Sequence, residues 1–125
     1  MNEEEILGLF DKWSNALSTQ NLDDMISLYA KDSVLLPTFS FDVCPNPETK
    51  RNYFKPFLMK NYTVVLETYN IQNHGDIAIN SGVYKFTNKQ KIEIKARYTY
   101  VYKKIDNNWL IVQHHSSYLK GIINV

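Results

Sequence analysis

The side chains best able to do chemistry are three histidines, His74, His114 and His115, a single cysteine, Cys44, and nine tyrosines. His114 and His115 stand side by side in the run WLIVQHHSS, Trp109 to Ser117, just ahead of two serines. A metal site needs ligands that converge. None of the histidines has the i, i+4 spacing of a helical ligand pair or a cysteine pair nearby, and His74 falls in a turn signal remote from the others. No metal site and no cofactor is expected. Cys44 precedes Pro45 with no histidine or lysine beside it, so nothing in the sequence lowers its pKa, and it reads as a free, partly buried thiol. Neighbours on a strand face opposite ways, so the adjacent His and Ser residues do not form a nucleophile–base pair, and His114 and His115 cannot readily share one ion. What remains is a histidine able to move a proton or hold a hydrogen bond, and a set of rings with polar tips suited to a partly wet cavity.

The elements that carry these residues follow from hydrophobic spacing. Ile6, Leu9, Phe10, Trp13 and Leu17 recur at helical intervals and predict a helix from Glu3 to about Ser18. Asn21 as N-cap, with Asp23 and Asp24 in the first turn, predicts a second helix from Leu22 to Ala30. A short extended piece, Val34 to Leu36, ends at Pro37 and leads into the irregular loop FDVCPNPE. Asn46-Pro47-Glu48 starts a third helix carrying Tyr53, Phe54, Phe57 and Leu58, which Pro56 is expected to kink or shorten. Beyond Asn61 the segments TVVLETYNIQ, IAINSGVYKF, KIEIKARYTYVYKK and WLIVQHHSS are rich in β-branched and aromatic residues, with turn signals between them. The expectation is one α+β domain over residues 1–125, three N-terminal helices packed on an antiparallel sheet.

Alternation then sorts the strand residues. Tyr98, Tyr100 and Tyr102 share one face, and Arg97, Thr99 and Val101 the other. In the last strand Leu110, Val112, His114 and Ser116 fall on one face; Trp109, Ile111, Gln113, His115 and Ser117 fall on the opposite one. Composition narrows the partners. The 44% hydrophobic and 22% charged content is that of an ordinary globular chain, and 14 basic against 13 acidic residues leave a formal charge of +1. Neither nucleic acid nor an anionic membrane is expected to bind such a balance. The opening MNEEEILGLF is acidic where a secretory signal would be basic, and no apolar run reaches membrane-spanning length. A cytoplasmic location is expected, in keeping with the lone cysteine.

The order of elements, together with the runs AKDSVLLP (Ala30–Pro37), INSGVY (Ile79–Tyr84), ARYTYVY (Ala96–Tyr102) and WLIVQHHSS, is similar to bacterial SnoaL-like proteins of the nuclear transport factor 2-like superfamily. It also resembles the association (hub) domain of calcium/calmodulin-dependent protein kinase II, most closely at Tyr53-Phe54, Leu58, Lys60-Asn61 and the terminal Trp–Val–His pattern. The resemblance covers nearly the whole chain. It implies a cone whose helices pack on the concave side of a curved sheet and leave a pocket at the open end. Where the hub domain carries carboxylate-binding arginines, it implies Tyr84, Tyr100 and Ser116 here, none with a guanidinium; Arg97 alternates onto the other face from Tyr100. A likeness to ketosteroid isomerases, through the first helix and Tyr29-Ala30-Lys31-Asp32, sets Trp13 where that family has a tyrosine oxyanion donor. It sets Pro37 where that family has its aspartate base, and proline abstracts no proton.

On such a cone the pocket is expected to be lined by Trp13 and Tyr29 from the helices, by Tyr53, and by Tyr84, Tyr98, Tyr100, His114 and Ser116, with His114 the candidate catalytic residue. Rings with hydroxyl and imidazole tips suit a small, partly apolar molecule with a few hydrogen-bonding groups. Arg97, Thr99, Trp109, Ile111, Gln113 and His115 are expected on the convex side as an interface in a homodimer or larger homo-oligomer. The function expected is a dimeric small-molecule-binding domain. A non-catalytic oligomerisation module and a polyketide cyclase- or isomerase-like enzyme are the alternatives.

Overall fold

The computed structural model describes residues 1–119. Helix α1, Glu3–Ser18, begins at an Asn2 cap whose side chain accepts from the Glu5 N–H while the Glu5 carboxylate reaches back. It buries Ile6, Phe10, Trp13, Ala16 and Leu17, the stripe its spacing predicts. Helix α2, Leu22–Ser27, is capped by Asn21 but stops short of the expected Ala30. Tyr29 and Ala30 instead open strand β1, Tyr29–Leu36. The reason is tertiary: Tyr29 pairs with Ile111 of the last strand, and the Ile111 N–H donates to the Leu28 carbonyl. Pairing and burial of both residues outweigh local helical preference. Helix α3, Pro47–Leu58, starts at Asn46 and runs two residues past Pro56.

Strands β2 (Thr63–Asn73), β3 (Ile77–Thr87), β4 (Glu93–Ile105) and β5 (Asn108–Tyr118) form the expected antiparallel meander. The sheet is nevertheless mixed, because β1 pairs parallel with β5 in the order β1-β5-β4-β3-β2. α3 lies in the connection that takes the chain from β1 at one edge to β2 at the other. The core forms where the inner face of this sheet meets α1, α2 and α3.

Two irregularities decide what faces inward. Near Glu67 the β2–β3 register shifts, and a Cβ on Gly82 would lie 2.2 Å from the Thr68 carbonyl oxygen. Only glycine allows that approach, which bends the two strands together. In β5 the register shifts so that Val101 faces Gln113 while Tyr102 faces Ile111, leaving Val112 as the extra residue. Strict alternation across Val112 therefore fails. Trp109 and Ile111 do share a face, but it is the inner one: Ile111 is buried and Trp109 half-buried against the core. Both residues leave the expected convex interface. Arg97, Gln113 and His115 remain exposed on the outer face, with Thr99 half-buried beside them. Among the described residues no helix is long and apolar enough to cross a membrane.

Candidate functional site

The inner face of β3, β4 and β5 presents Tyr84, Tyr98, Tyr100, His114 and Ser116, with Trp13 from α1 and Tyr29 from β1 packed over them, all buried. Such a density of polar tips in a core is tolerated only if they satisfy one another. Five of these residues do so in one chain. The Trp13 indole Nε1–H donates to Tyr29 Oη at 3.0 Å, and Tyr29 Oη lies 2.8 Å from His114 Nδ1. On the other side His114 Nε2 is 3.3 Å from Tyr84 Oη, which donates to Ser116 Oγ at 2.6 Å.

Donor counting fixes the direction. Tryptophan can only donate, so Tyr29 accepts from it and sends its own hydrogen to His114 Nδ1. The imidazole is then the neutral Nε2–H tautomer and donates to Tyr84, whose hydrogen goes to Ser116. The opposite tautomer would leave the Tyr29 hydrogen buried with no acceptor, costing about 1–3 kcal/mol. His114 also stacks on Tyr100, with centroids 4.1 Å apart, and meets Trp13 edge-on. Burial, aided by His115, pulls its pKa down to about 3, so the ring stays uncharged. Burial likewise raises the Tyr29, Tyr84 and Tyr100 hydroxyls well above the usual range for tyrosine.

The expected pocket is thus mostly filled. Beside the network is a cavity of ≈ 10 Å³, about the room one water needs, and a second of ≈ 20 Å³ lies against Thr38, Phe57, Phe86 and Ile94. Trp13, Tyr53, Tyr84, His114 and Ser116 line the first, the inner cavity, as expected, together with Leu35, Pro37, Thr38, Phe54, Phe57 and Phe86. Tyr29, Tyr98 and Tyr100 do not line it: the bulk of the other rings seals them behind its wall. Tyr29 supports His114, Tyr98 donates to Asn80 Oδ1 at 2.7 Å, and Tyr100 serves as the stacking platform. The Tyr100 hydroxyl has no partner among the described residues.

The larger opening lies outside this network. A cleft of ≈ 520 Å³ runs between the β1–α3 loop and α3, lined by Phe39, Asp42, Val43 and Cys44 on one side and Asn52, Tyr53, Pro56, Phe57 and Lys60 on the other. Thr38, Tyr53 and Phe57 line both the cleft and the inner cavity and so form the partition between them. The Thr38 hydroxyl is buried at this partition with no hydrogen-bond partner among the described residues. Sequence reasoning found Tyr53 here but not the loop residues, because FDVCPNPE has no periodicity to read. The one signal available was the length of that irregular stretch, since long loops in compact domains are often functional.

Cys44 is buried, its backbone pairing with Leu35, and burial raises its thiol pKa against a smaller opposing effect of Lys50. Lys50 carries no local signal that would single it out. Its buried Nζ donates to the Ser33 carbonyl at 2.7 Å, tying α3 to β1, and burial lowers its pKa. His74 is exposed in the β2–β3 turn. Among the described residues no three His, Cys, Asp or Glu side chains converge on a point that could hold a metal ion.

Comparison with known proteins matches this architecture. The family model for the calcium/calmodulin dependent protein kinase II association domain matches residues 2–119. A solved structure from Xanthomonas campestris, provisionally assigned as such an association domain, is 40% identical, with 98% of this chain and 91% of that one covered and a TM-score of 0.91. A nuclear transport factor 2-like protein of unknown function from Pseudomonas putida shares the fold at 18% identity, covering 92% and 84% of the two chains with a TM-score of 0.83. So does a ketosteroid isomerase-like protein from Erwinia carotovora atroseptica, at 14% identity, 97% and 100% coverage and a TM-score of 0.76. No curated protein matches. The α+β cone of the nuclear transport factor 2-like superfamily is therefore the fold, and the chain belongs to the calcium/calmodulin-dependent protein kinase II association domain family.

Proposed function

We propose that this association domain binds a small, partly apolar molecule in the tract formed by the outer cleft and the inner cavity. One observation carries the reading: the buried Thr38 hydroxyl, without a partner among the described residues, sits where the cleft and the cavity share a wall. An orphaned hydroxyl in a core costs about 1–3 kcal/mol, a cost that binding of a polar atom would offset. The cleft volume of ≈ 520 Å³ is within the range of small-molecule sites, and its walls mix apolar and aromatic side chains, Phe39, Val43, Tyr53, Pro56 and Phe57, with polar ones, Asp42, Asn52 and Lys60 among them. Proton abstraction by His114 is the weaker use of the same geometry. Its free nitrogen already accepts from Tyr29, and a pKa near 3 makes it a poor base at neutral pH.

A screen of small aromatic compounds by protein-observed NMR tests the reading. Hits should move the Thr38, Tyr53 and Phe57 resonances; hits confined to other surfaces, or none, would overturn it.

Family membership favours a second reading that is compatible with the first, self-association. Arg97, Thr99, Gln113 and His115 on the outer sheet face would contribute to a contact between copies, with Val65 exposed on β2 as an apolar neighbour. Sedimentation should then report a dimer or larger species, weakened by charge reversal at Arg97. A monomer at high micromolar concentration would exclude it.

A further inference from the structure

We infer that the inner cavity takes an uncharged carbonyl oxygen, received by the Ser116 and Thr38 hydroxyls, and that the ligand is an apolar carbonyl compound whose body lies in the outer cleft. The inference rests on the binding reading above and adds the ligand's chemistry.

The hydrogen-bond chain supplies the first argument. Ser116 Oγ accepts from Tyr84, and no described group takes the Ser116 hydrogen. The directed sequence from Trp13 through Tyr29, His114 and Tyr84 therefore ends in one uncommitted O–H on the cavity wall. Chains of this kind polarise their last donor. Thr38 adds a second hydroxyl whose hydrogen and oxygen have no partner among the described residues. Two O–H groups on a cavity the size of one water fit a single acceptor atom.

Charge supplies the second. Among the described residues no Lys, Arg, Asp or Glu lines the inner cavity; its one histidine, His114, is held neutral, and burial keeps the Tyr53 and Tyr84 phenols protonated. A carboxylate drawn in here would lose its hydration without gaining a counter-ion, whereas a ketone, ester or amide oxygen would give up far less. Outside the partition, Phe39, Val43, Pro56 and Phe57 provide apolar walls for the rest of the molecule.

The test uses three ligands of similar size, benzylacetone, hydrocinnamate and butylbenzene, titrated into the full chain and followed by NMR. Benzylacetone should bind about tenfold more tightly than either other ligand, the worth of one well-placed hydrogen bond. Ser116→Ala should lower benzylacetone to the butylbenzene level while leaving butylbenzene itself unchanged. Thr38→Val removes a hydroxyl that supports nothing else, so it folds normally and gives the same comparison if Ser116→Ala is too unstable to measure. Equal affinities for ketone and hydrocarbon, or a preference for hydrocinnamate, would overturn the carbonyl assignment while leaving the binding site standing. No binding by any of the three would remove the binding reading, and this inference with it.

Discussion

Lowering the pH from 7.5 to 5 should destabilise the protein through His114 alone by about 2 kcal/mol. The folded imidazole has its pKa depressed to about 3, whereas in the unfolded chain it titrates near 6.5. A depressed histidine pKa means that the unfolded state takes up the proton first. Stability is full above the unfolded pKa and falls with pH between 6.5 and 3. At pH 5 the unfolded ring sits roughly 1.5 units below its pKa and the folded ring is still neutral, so the loss is about 1.4 kcal/mol per unit over that interval. The figure barely depends on how far the folded pKa is depressed, provided it lies below about 4. The groups facing His114 are Trp13 and the Tyr29, Tyr84 and Tyr100 phenols, whose raised pKa values keep them out of this window. The assay is urea unfolding at both pH values, on the wild type and on His114→Gln, which keeps one acceptor and one donor but does not titrate. The wild type should lose about 2 kcal/mol more than the variant. Equal losses in the two proteins would refute the claim of a buried neutral ring.

Other substitutions probe the packing and the network. Tyr29→Phe strands both the Trp13 N–H and His114 Nδ1 and should cost about 2–4 kcal/mol in chemical denaturation; a loss under about 1 kcal/mol would break the chain at its first link. His114→Ala should destabilise at least as much as a large core truncation, about 3–5 kcal/mol, since it opens a cavity and unpairs two hydroxyls. Thr38→Val should leave the melting temperature unchanged or raised, because its hydroxyl is already unpaired; a clear fall would reveal a partner for it. Gly82→Ala should cost about 1–3 kcal/mol or more by driving a methyl group onto the Thr68 carbonyl, and wild-type stability would refute the close strand approach.

The fold was legible where the pattern was long and periodic. The α1 stripe, the Asn21 and Asn46 caps and the four-strand meander all follow from local signals. Two elements depended on partners distant in sequence. Tyr29 and Ala30 read as helix because nothing local reveals that Ile111 is their partner, and a sheet joined by β1 in parallel cannot be inferred from β2–β5 alone. The Val112 bulge was equally silent, and it turned Ile111 from a presumed interface residue into core and set Trp109, half-buried, against that core. For the site, residue identity was readable but openness was not. Alternation set Tyr98 with Tyr100 and His114 with Ser116, and the family resemblance joined them with Tyr84 on one concave face, yet whether those rings line a pocket or fill it depends on how closely Trp13 and Phe54 pack across them. Thr38 and the cleft loop carry the binding proposal, and neither has a sequence signature beyond irregularity.

The most direct test of the central claim, a neutral and directed hydrogen-bond chain ending at the inner cavity, is the protonation state of the His114 ring by ¹⁵N NMR. A protonated Nε2 and a bare Nδ1, unchanged from pH 7.5 down to pH 5, is the predicted result. A ring protonated at Nδ1, or an imidazolium already present at pH 5, would contradict it: the chain would then run the other way or carry a charge, and Ser116 would no longer be its terminal donor.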